Sequence, residues 1–301
     1  MEKHEKEYMM SEFDYAIAFS RNLGWVTEDE QLILKGKKVA IAGLGGVGGS
    51  HLITLARLGV SYFSIADMDV FDWPNLNRQA GAFASTMNTP KLDVMRKMLK
   101  DINPEASATC FSEGVTDDNI DAFLEGVDLY VDSLDVFCMD IRRKVFAKCR
   151  EKGIPAISAA PTGMGTAVVI FSKNGMSYDS YFDYKEEDTF ETQVIKFIVG
   201  LSPSMLQKRY LVREGTFDVS LRKAPSTPMG IDLAAGVACT NALKILLGRG
   251  QVIYAPCGMH FDAYLNRIEK TWIPFGNKNP LQKLKICFVK FILARQKRAR
   301  G

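Results

Sequence analysis

The sequence predicts an α/β protein built on a doubly wound, mostly parallel sheet, with a helical and loop insertion and a C-terminal amphipathic helix. Three observations predict it. Short apolar runs alternate with helix-patterned stretches through the first half of the chain. A glycine run, Gly43-Leu44-Gly45-Gly46-Val47-Gly48-Gly49, lies between the first apolar run and the first helical pattern. At 301 residues, 47% apolar and 24% charged, the chain is large enough to bury a substantial core and is not broadly disordered.

Each element follows from its local pattern. Residues 39–43 read as a buried strand, Val39-Ala40-Ile41-Ala42 at its heart, and 48–57 as the helix after it. The alternation continues with strands at 62–66, 108–111, 129–132 and 155–158 and helices at 91–101, 117–124 and 137–152. A further strand is expected at 166–171. From Tyr178 to Pro228 the chain turns polar and aromatic, with helical stretches at 190–199 and 205–210 and a Pro/Ser loop from Lys223 to Pro228. An insertion of this length between core elements points to a function. A long apolar helix at 231–247 stops at Gly248, and strand-like runs at 251–255 and 259–264 lead into 267–273. The expected division is one domain over 1–279, with a nucleotide-binding half at about 36–160 and the insertion at about 175–228, then a basic tail over 280–301.

Charge is unevenly spread. From Lys278 onward there are eight Lys/Arg (Lys278, Lys283, Lys285, Lys290, Arg295, Lys297, Arg298, Arg300) and no acid, so removing them from the +3 total leaves the rest at −5. The six cysteines form no Cys-x-x-Cys, which argues against a zinc site built from local pairs. Cys138, Cys149 and Cys239 sit in helix-like apolar runs and read as buried thiols. The charged start Met1-Glu2-Lys3-His4-Glu5-Lys6 has no apolar signal region. No uncharged apolar run reaches the roughly 18–20 residues of a spanning helix. The expected setting is reducing and cytoplasmic.

The glycine run carries the first chemistry. Gly43, Gly45, Gly46 and Gly48 let backbone amides approach a phosphate, and the following helix adds the positive end of its dipole. That makes the fold Rossmann-like and the site a nucleotide pocket. Asp67, at the end of the next strand, is placed to accept bonds from a ribose. Beyond Asp69, Asn75-Leu76-Asn77-Arg78-Gln79 supplies a forked cation and amides. Hydride transfer has no use for these, whereas charge developing on a phosphoryl group does. Lys91 after Pro90 adds a second cation, and Asp135 a carboxylate for Mg²⁺. Each alone reads as a solvated surface charge; together, at one sheet edge, they read as a site.

With these residues in place, the chain resembles the superfamily of ubiquitin-activating (E1-like) enzymes, in particular the ThiF/MoeB-type adenylyltransferases. The resemblance covers about residues 19–248 and rests on the glycine run, Asp67-Met68-Asp69, Asn75-Leu76-Asn77-Arg78-Gln79, Pro90-Lys91 and Asp132-Ser133-Leu134-Asp135. It implies an enzyme that uses MgATP to adenylate the C-terminus of a ubiquitin-like or sulfur-carrier protein, or a small-molecule carboxylate. By the same resemblance Asp67 is the ribose-binding acid, and Asn75, Arg78 and Lys91 contact phosphates. Asp135 is the Mg²⁺-associated acid, and Arg21 is the arginine that crosses a homodimer to the partner's ATP.

The chain departs from the family's pattern at three places. Val136 replaces the Asn that often follows the Mg²⁺-associated acid, the zinc pairs are absent, and no cysteine occurs between Cys149 and Cys239. Such a chain makes an acyl-adenylate and leaves transfer to an outside nucleophile. The Gly-rich stretch 158–165 has no assigned role. Two rival readings stand beside this one: an NAD(P)-dependent oxidoreductase, on the glycine fingerprint and Asp67, and a non-catalytic scaffold for a nucleotide or ubiquitin-like protein.

In the tail, a 100° helical step puts Lys283, Lys290 and Lys297 on one narrow face, with Leu284, Phe288, Phe291 and Ile292 opposite. The plainer expectation is a helix docking its apolar face on the body or on a second subunit. The alternative is contact with an anionic membrane surface, at the inner membrane face. Nucleic acid is the third option, supported by the terminal Arg/Lys cluster and by nothing aromatic and exposed.

Overall fold

The computed structural model describes residues 12–213, 216–219 and 224–300, with side chains to Arg295. The N-terminal stretch 1–6, Lys223, and the side chains of Lys297, Arg298 and Arg300 lie outside the described residues. Short α1 (Tyr15–Ala18) and α2 (Glu28–Lys35) lead into β1 (Lys38–Ala42). Then come α3 (Gly46–Arg57), β2 (Tyr62–Ala66), α4 (Lys91–Ile102), β3 (Ser107–Phe111), α5 (Ile120–Phe123), β4 (Leu129–Asp132), α6 (Met139–Lys152) and β5 (Ala156–Pro161). β6 (Gly165–Phe171), α7 (Tyr178–Phe182), α8 (Phe190–Leu201), α9 (Pro228–Leu247), β7 (Cys257–Asp262), β8 (Arg267–Trp272) and α10 (Pro280–Arg300) complete the order.

The strands form one 8-stranded sheet in the order β3-β2-β1-β4-β5-β6-β7-β8. The first five in that order pair in parallel, and β5 through β8 pair antiparallel. Reversing direction on either side of β1 opens a crevice at the carboxyl ends of β1, β2 and β4, the usual ligand position in such sheets.

Alternation along each strand divides the core in two. Val39 and Ile41 of β1 face one side with Leu129, Val131, Leu52 and Leu55, while Ala40 and Ala42 face the other with Tyr130 and Phe146. α9 covers the first side, its buried Ala238, Ala242 and Leu246 against β5, β6 and α3. Length and composition alone would suit α9 to a membrane span; half of its most apolar window is instead buried in the fold. The second side is aromatic. Tyr178, Tyr181 and Phe182 of the insertion are buried there, with Phe146 and Tyr178 stacked at 4.1 Å between centroids. The insertion therefore completes the core on the sheet's second face.

Several expectations are corrected. Residues 251–255 form no strand: Tyr254 makes an isolated bridge to Ile170, and Pro256, which lacks an N–H, cannot extend the ladder. The strand expected at 259–264 is shifted to Cys257–Asp262, because 263–266 make the turn to β8, with Asn266 at φ 51°. The helix expected at 117–124 shrinks to Ile120–Phe123, since Asn119 Oδ1 takes the Thr116 amide in a turn. Residues 205–210 make a 3₁₀ turn, Leu206–Tyr210. Cys149 and Cys239 are buried as expected, but Cys138 is half-buried, because the helix begins after it.

The tail helix docks on the body, though not by the face its pattern suggested. Ile286 is buried against Ile195 and Val199 of α8, with Val289 and Leu293 alongside, and Gln282 donates to the Val199 carbonyl. Leu284, Phe288 and Phe291 stay exposed.

Candidate active site

The glycine run turns sharply out of β1. Gly43 sits at φ +86°, and a Cβ there would lie 2.5 Å from the Ser133 carbonyl oxygen. A Cβ on Gly48 would lie 1.8 Å from the Gly43 oxygen and 2.9 Å from Ser133 Cβ, so the loop closes on itself and on the loop after β4. Gly45 is the N-cap of α3 and offers no side chain, leaving the first amides of that helix to a ligand. Gly48→Ala is expected to destabilise the protein by about 1–3 kcal/mol, the cost of overpacking, and to abolish nucleotide binding. Gly236→Ala, on an open face of α9, is the control; it should stabilise by about 0.5–1 kcal/mol. Denaturant melts of the two variants check both values.

Asp67 reaches back into the loop. Its Oδ2 accepts from the Leu44 amide at 2.6 Å and its Oδ1 from the Asp69 amide at 2.8 Å. A carboxylate has about four acceptor sites, so two stay open to ribose hydroxyls. Burial pushes the Asp67 pKa up, and the two amides and Lys91 oppose it.

Lys91 is buried, 6% exposed, and its Nζ meets Asp69 Oδ2 at 3.0 Å while its amide bonds the Asp69 carbonyl. Asp69, expected from the sequence with Asp67 among the nucleotide-contacting residues, pairs with Lys91 and holds it at the crevice. Asn75 has a structural bond as well. Its Oδ1 accepts the Asp72 amide and so caps a turn.

Arg78 and its neighbours bridge the crevice. Arg78 Nη1 donates to the Pro74 carbonyl at 2.8 Å and to Asn77 Oδ1 at 2.9 Å. Asn77 in turn donates to the Ser226 carbonyl at 3.2 Å, on the segment before α9. The Arg78 stem passes near Gly46, 3.8 Å from where a Cβ would stand, which hangs the guanidinium beside the start of α3. Gln79 is buried against Gly45, and its Oε1 has no hydrogen-bond partner. A buried acceptor left open beside a glycine loop suits a ligand donor.

Asp135 is exposed on the loop after β4, its Oδ1 taking the Phe137 amide at 2.9 Å. Val136 packs against the aromatic core. Arg21 is not brought to this site within the chain. It is exposed on a turn whose neighbour Asn22 bonds the Arg57 and Leu58 carbonyls, at the opposite end of α3 from the glycine loop.

The family of this fold is settled by comparison. The ThiF family matches residues 19–283. The chain belongs to the ThiF family. It is 35% identical over 142 residues to the tRNA threonylcarbamoyladenosine dehydratase of Bacillus subtilis, covering 47% of this chain and 55% of that one. It is 31% identical over 142 residues to the molybdopterin-synthase adenylyltransferase of Salmonella typhimurium, covering 47% and 56%. The chain thus spans about half the length of the curated relatives it matches. Among solved structures, PaaA superposes with a TM-score of 0.65 at 16% identity over 91% of this chain and 78% of that one. E. coli MccB with ATP superposes at 0.61 and 17% over 84% and 69%; both are likenesses of fold.

Sequence reasoning missed the residue that holds this ThiF-family site together. Arg142, 1% exposed on α6, donates from Nε to Asp132 Oδ2 at 2.9 Å, and from Nη2 to the Leu134 and Asp135 carbonyls. Burial pulls its pKa down; the Asp132 charge, with Tyr178 and Tyr130, more than reverses this, so the guanidinium stays charged. Its Cζ lies 4.7 Å above the Phe197 ring, which ties the insertion to the loop carrying Asp135. A signal was present: Arg142 falls among Met139, Val145, Phe146 and Cys149 on the buried face of α6, where a charge needs a partner. His51 was missed too. It is fully buried with Nδ1 3.0 Å from Ser133 Oγ, and burial pushes its pKa to about 4, so it packs the loop as a neutral ring.

The Gly-rich stretch 158–165 is the β5–β6 hairpin on the same sheet edge. Tyr210 accepts the Met164 amide and donates to buried Asp262, and Thr227 donates to the Gly163 carbonyl. These bonds fix the hairpin next to the segment that crosses the crevice.

Proposed function

We propose that this protein is an ATP-dependent adenylyltransferase that activates a carboxylate as an acyl-adenylate. The observation that carries the reading is Arg78, a forked cation held over the glycine loop by the Pro74 carbonyl and Asn77. A carboxylate oxygen of the substrate attacks the α-phosphorus of ATP, the new O–P bond forms, the α–β bridge breaks, and pyrophosphate leaves. The amides at the start of α3 take phosphate oxygens and Asp67 takes the ribose. Arg78 meets the charge that builds on the reacting phosphate, and Lys91 joins it by exchanging Asp69 for a phosphate oxygen.

Asp135 suits Mg²⁺. Magnesium is commonly held by one or two carboxylates plus phosphates and waters, and a single exposed acid beside the pocket meets that need. Among the described residues, no group of three or more His, Cys, Asp and Glu offers an all-protein cage. The ion would neutralise the triphosphate and the departing pyrophosphate.

The activated group is the C-terminus of a ubiquitin-like or sulfur-carrier protein, or a small carboxylate. Relatives named for such partners include the sulfur carrier protein ThiS adenylyltransferase of E. coli and the SAMP-activating enzyme E1 of Haloferax volcanii. Burial pushes the Cys149 and Cys239 thiols up, which makes both poor nucleophiles. With no cysteine between them in the chain, we assign transfer to an outside nucleophile. We place the protein in the cytoplasm, and we read it as a homodimer because Arg21 lies at the far end of α3 from its own pocket, where the family resemblance has it serve a second subunit's nucleotide.

Thermal stabilisation by MgATP, NAD⁺ and NADP⁺, on wild type and Asp135→Ala, tests the pocket. At a hundredfold excess over Kd, MgATP should add about 2.7 kcal/mol of stability to wild type and measurably less to the variant. A shift with a nicotinamide dinucleotide alone would replace this reading with an oxidoreductase. Binding of MgATP without ATP–pyrophosphate exchange, with the right carboxylate present, would replace it with a scaffold.

A further inference from the structure

The docked C-terminal helix keeps a second apolar face. With α10 seated on α8 through Gln282, Ile286, Val289 and Leu293, the opposite side carries Leu281 (68% exposed), Leu284 (67%), Phe288 (51%) and Phe291 (64%). At 100° per residue these four fall within one narrow arc, roughly opposite the docked face. Exposed Lys283 and Lys290 lie between this arc and the docked face on one side, about 80–100° round the helix from Phe291. On the other, Lys285 donates to the Pro203 carbonyl at 2.6 Å, and Lys208 of the body lies 4.6 Å from the Phe288 ring centroid.

Charge selects what covers this face. From Lys270 to Gly301 the chain has no Asp or Glu, so two α10 faces meeting would set lysine against lysine with no acid on either helix to offset them. A nucleic acid would take the charge and leave Leu281 and Leu284 in water, since it binds through phosphates and stacked bases. An anionic bilayer satisfies both, with the apolar arc in the acyl boundary and the lysines at the headgroups. Docking on α8 forms the helix beforehand, so little ordering cost remains on binding.

We propose that the Leu281–Leu284–Phe288–Phe291 face of α10 is a docking surface for anionic membrane lipid. The full-length protein binds equimolar phosphatidylglycerol/phosphatidylcholine vesicles, and does not bind phosphatidylcholine alone. Two double variants test the two components by vesicle sedimentation. Phe288→Ser with Phe291→Ser lowers the partition coefficient at least about tenfold. Lys283→Gln with Lys290→Gln lowers it by roughly tenfold and flattens its salt dependence. The second pair alters solvent-facing charge alone, so it remains informative if the first lowers the melting temperature. Equal binding to neutral vesicles, binding unchanged in both variants, or no binding at low salt overturns the proposal. So does an oligomer that the phenylalanine variant dissolves, which would make this face a contact between copies, or binding to RNA in place of vesicles.

Discussion

Arg78→Ala is expected to slow acyl-adenylate formation by about 10²–10³, the usual loss when one charge-stabilising donor is deleted from a reacting centre. Its fold should survive, because the side chain is half-exposed and its partners, the Pro74 carbonyl and Asn77 Oδ1, remain within reach of water. Exchange of labelled pyrophosphate into ATP, measured beside a thermal melt, separates the two effects. Arg78→Lys sharpens the test. It keeps the charge but loses the fork that engages Asn77 and a phosphate together, so recovery should be partial. An exchange rate close to that of wild type in the alanine variant would remove Arg78 from the chemistry.

The largest expected stability loss is at Arg142. Removing it strands the Asp132 carboxylate among Tyr130, Ser158 and the aromatic core, with the pair's side chains 2% exposed on both sides. Breaking a buried ion pair in this way costs about 3–5 kcal/mol. Arg142→Ala should therefore shift urea unfolding by that amount. Asp132→Asn combined with Arg142→Met should recover much of it, because neither charge is then left alone. A loss below about 1 kcal/mol in the single variant would mean that the pair does not hold the loop. The variant should also respond more weakly to MgATP, since the Leu134 and Asp135 carbonyls lose their donor.

The sheet's strands were legible where a short apolar run is bounded by polar residues, as at Tyr62–Ala66 and Leu129–Asp132, whose ends the sequence marked correctly. Boundaries slipped where a turn competes with an apolar run. At 259–264, Ala263 and Tyr264 read as strand, yet a turn at Asn266 takes them. Within the site, Asp67, Arg78 and Lys91 stood out because a charge at a strand's carboxyl end or a helix start has a recognisable chemical use. Asn75 did not reveal that its carbonyl oxygen serves the Asp72 amide, because a local cap and a ligand contact use the same side chain.

The sequence by itself determined the alternating α/β order, the tight glycine loop after β1 and the forked cation beside it. These are local matters: a period of two or 3.6, a glycine where a Cβ would collide, a charged group at an element's end. Only the tertiary structure decided that Lys91 rests on Asp69, that Arg142 clamps the loop of Asp135, and that Arg21 stands at the far end of α3. It alone decided which face of α10 is buried. Both faces of that helix are apolar enough to pack, and the choice went to the side whose Gln282 and Ile286 meet the Val199 carbonyl and the α8 surface. Periodicity measures a side chain's taste for burial, and the partner it finds depends on residues far away in the chain.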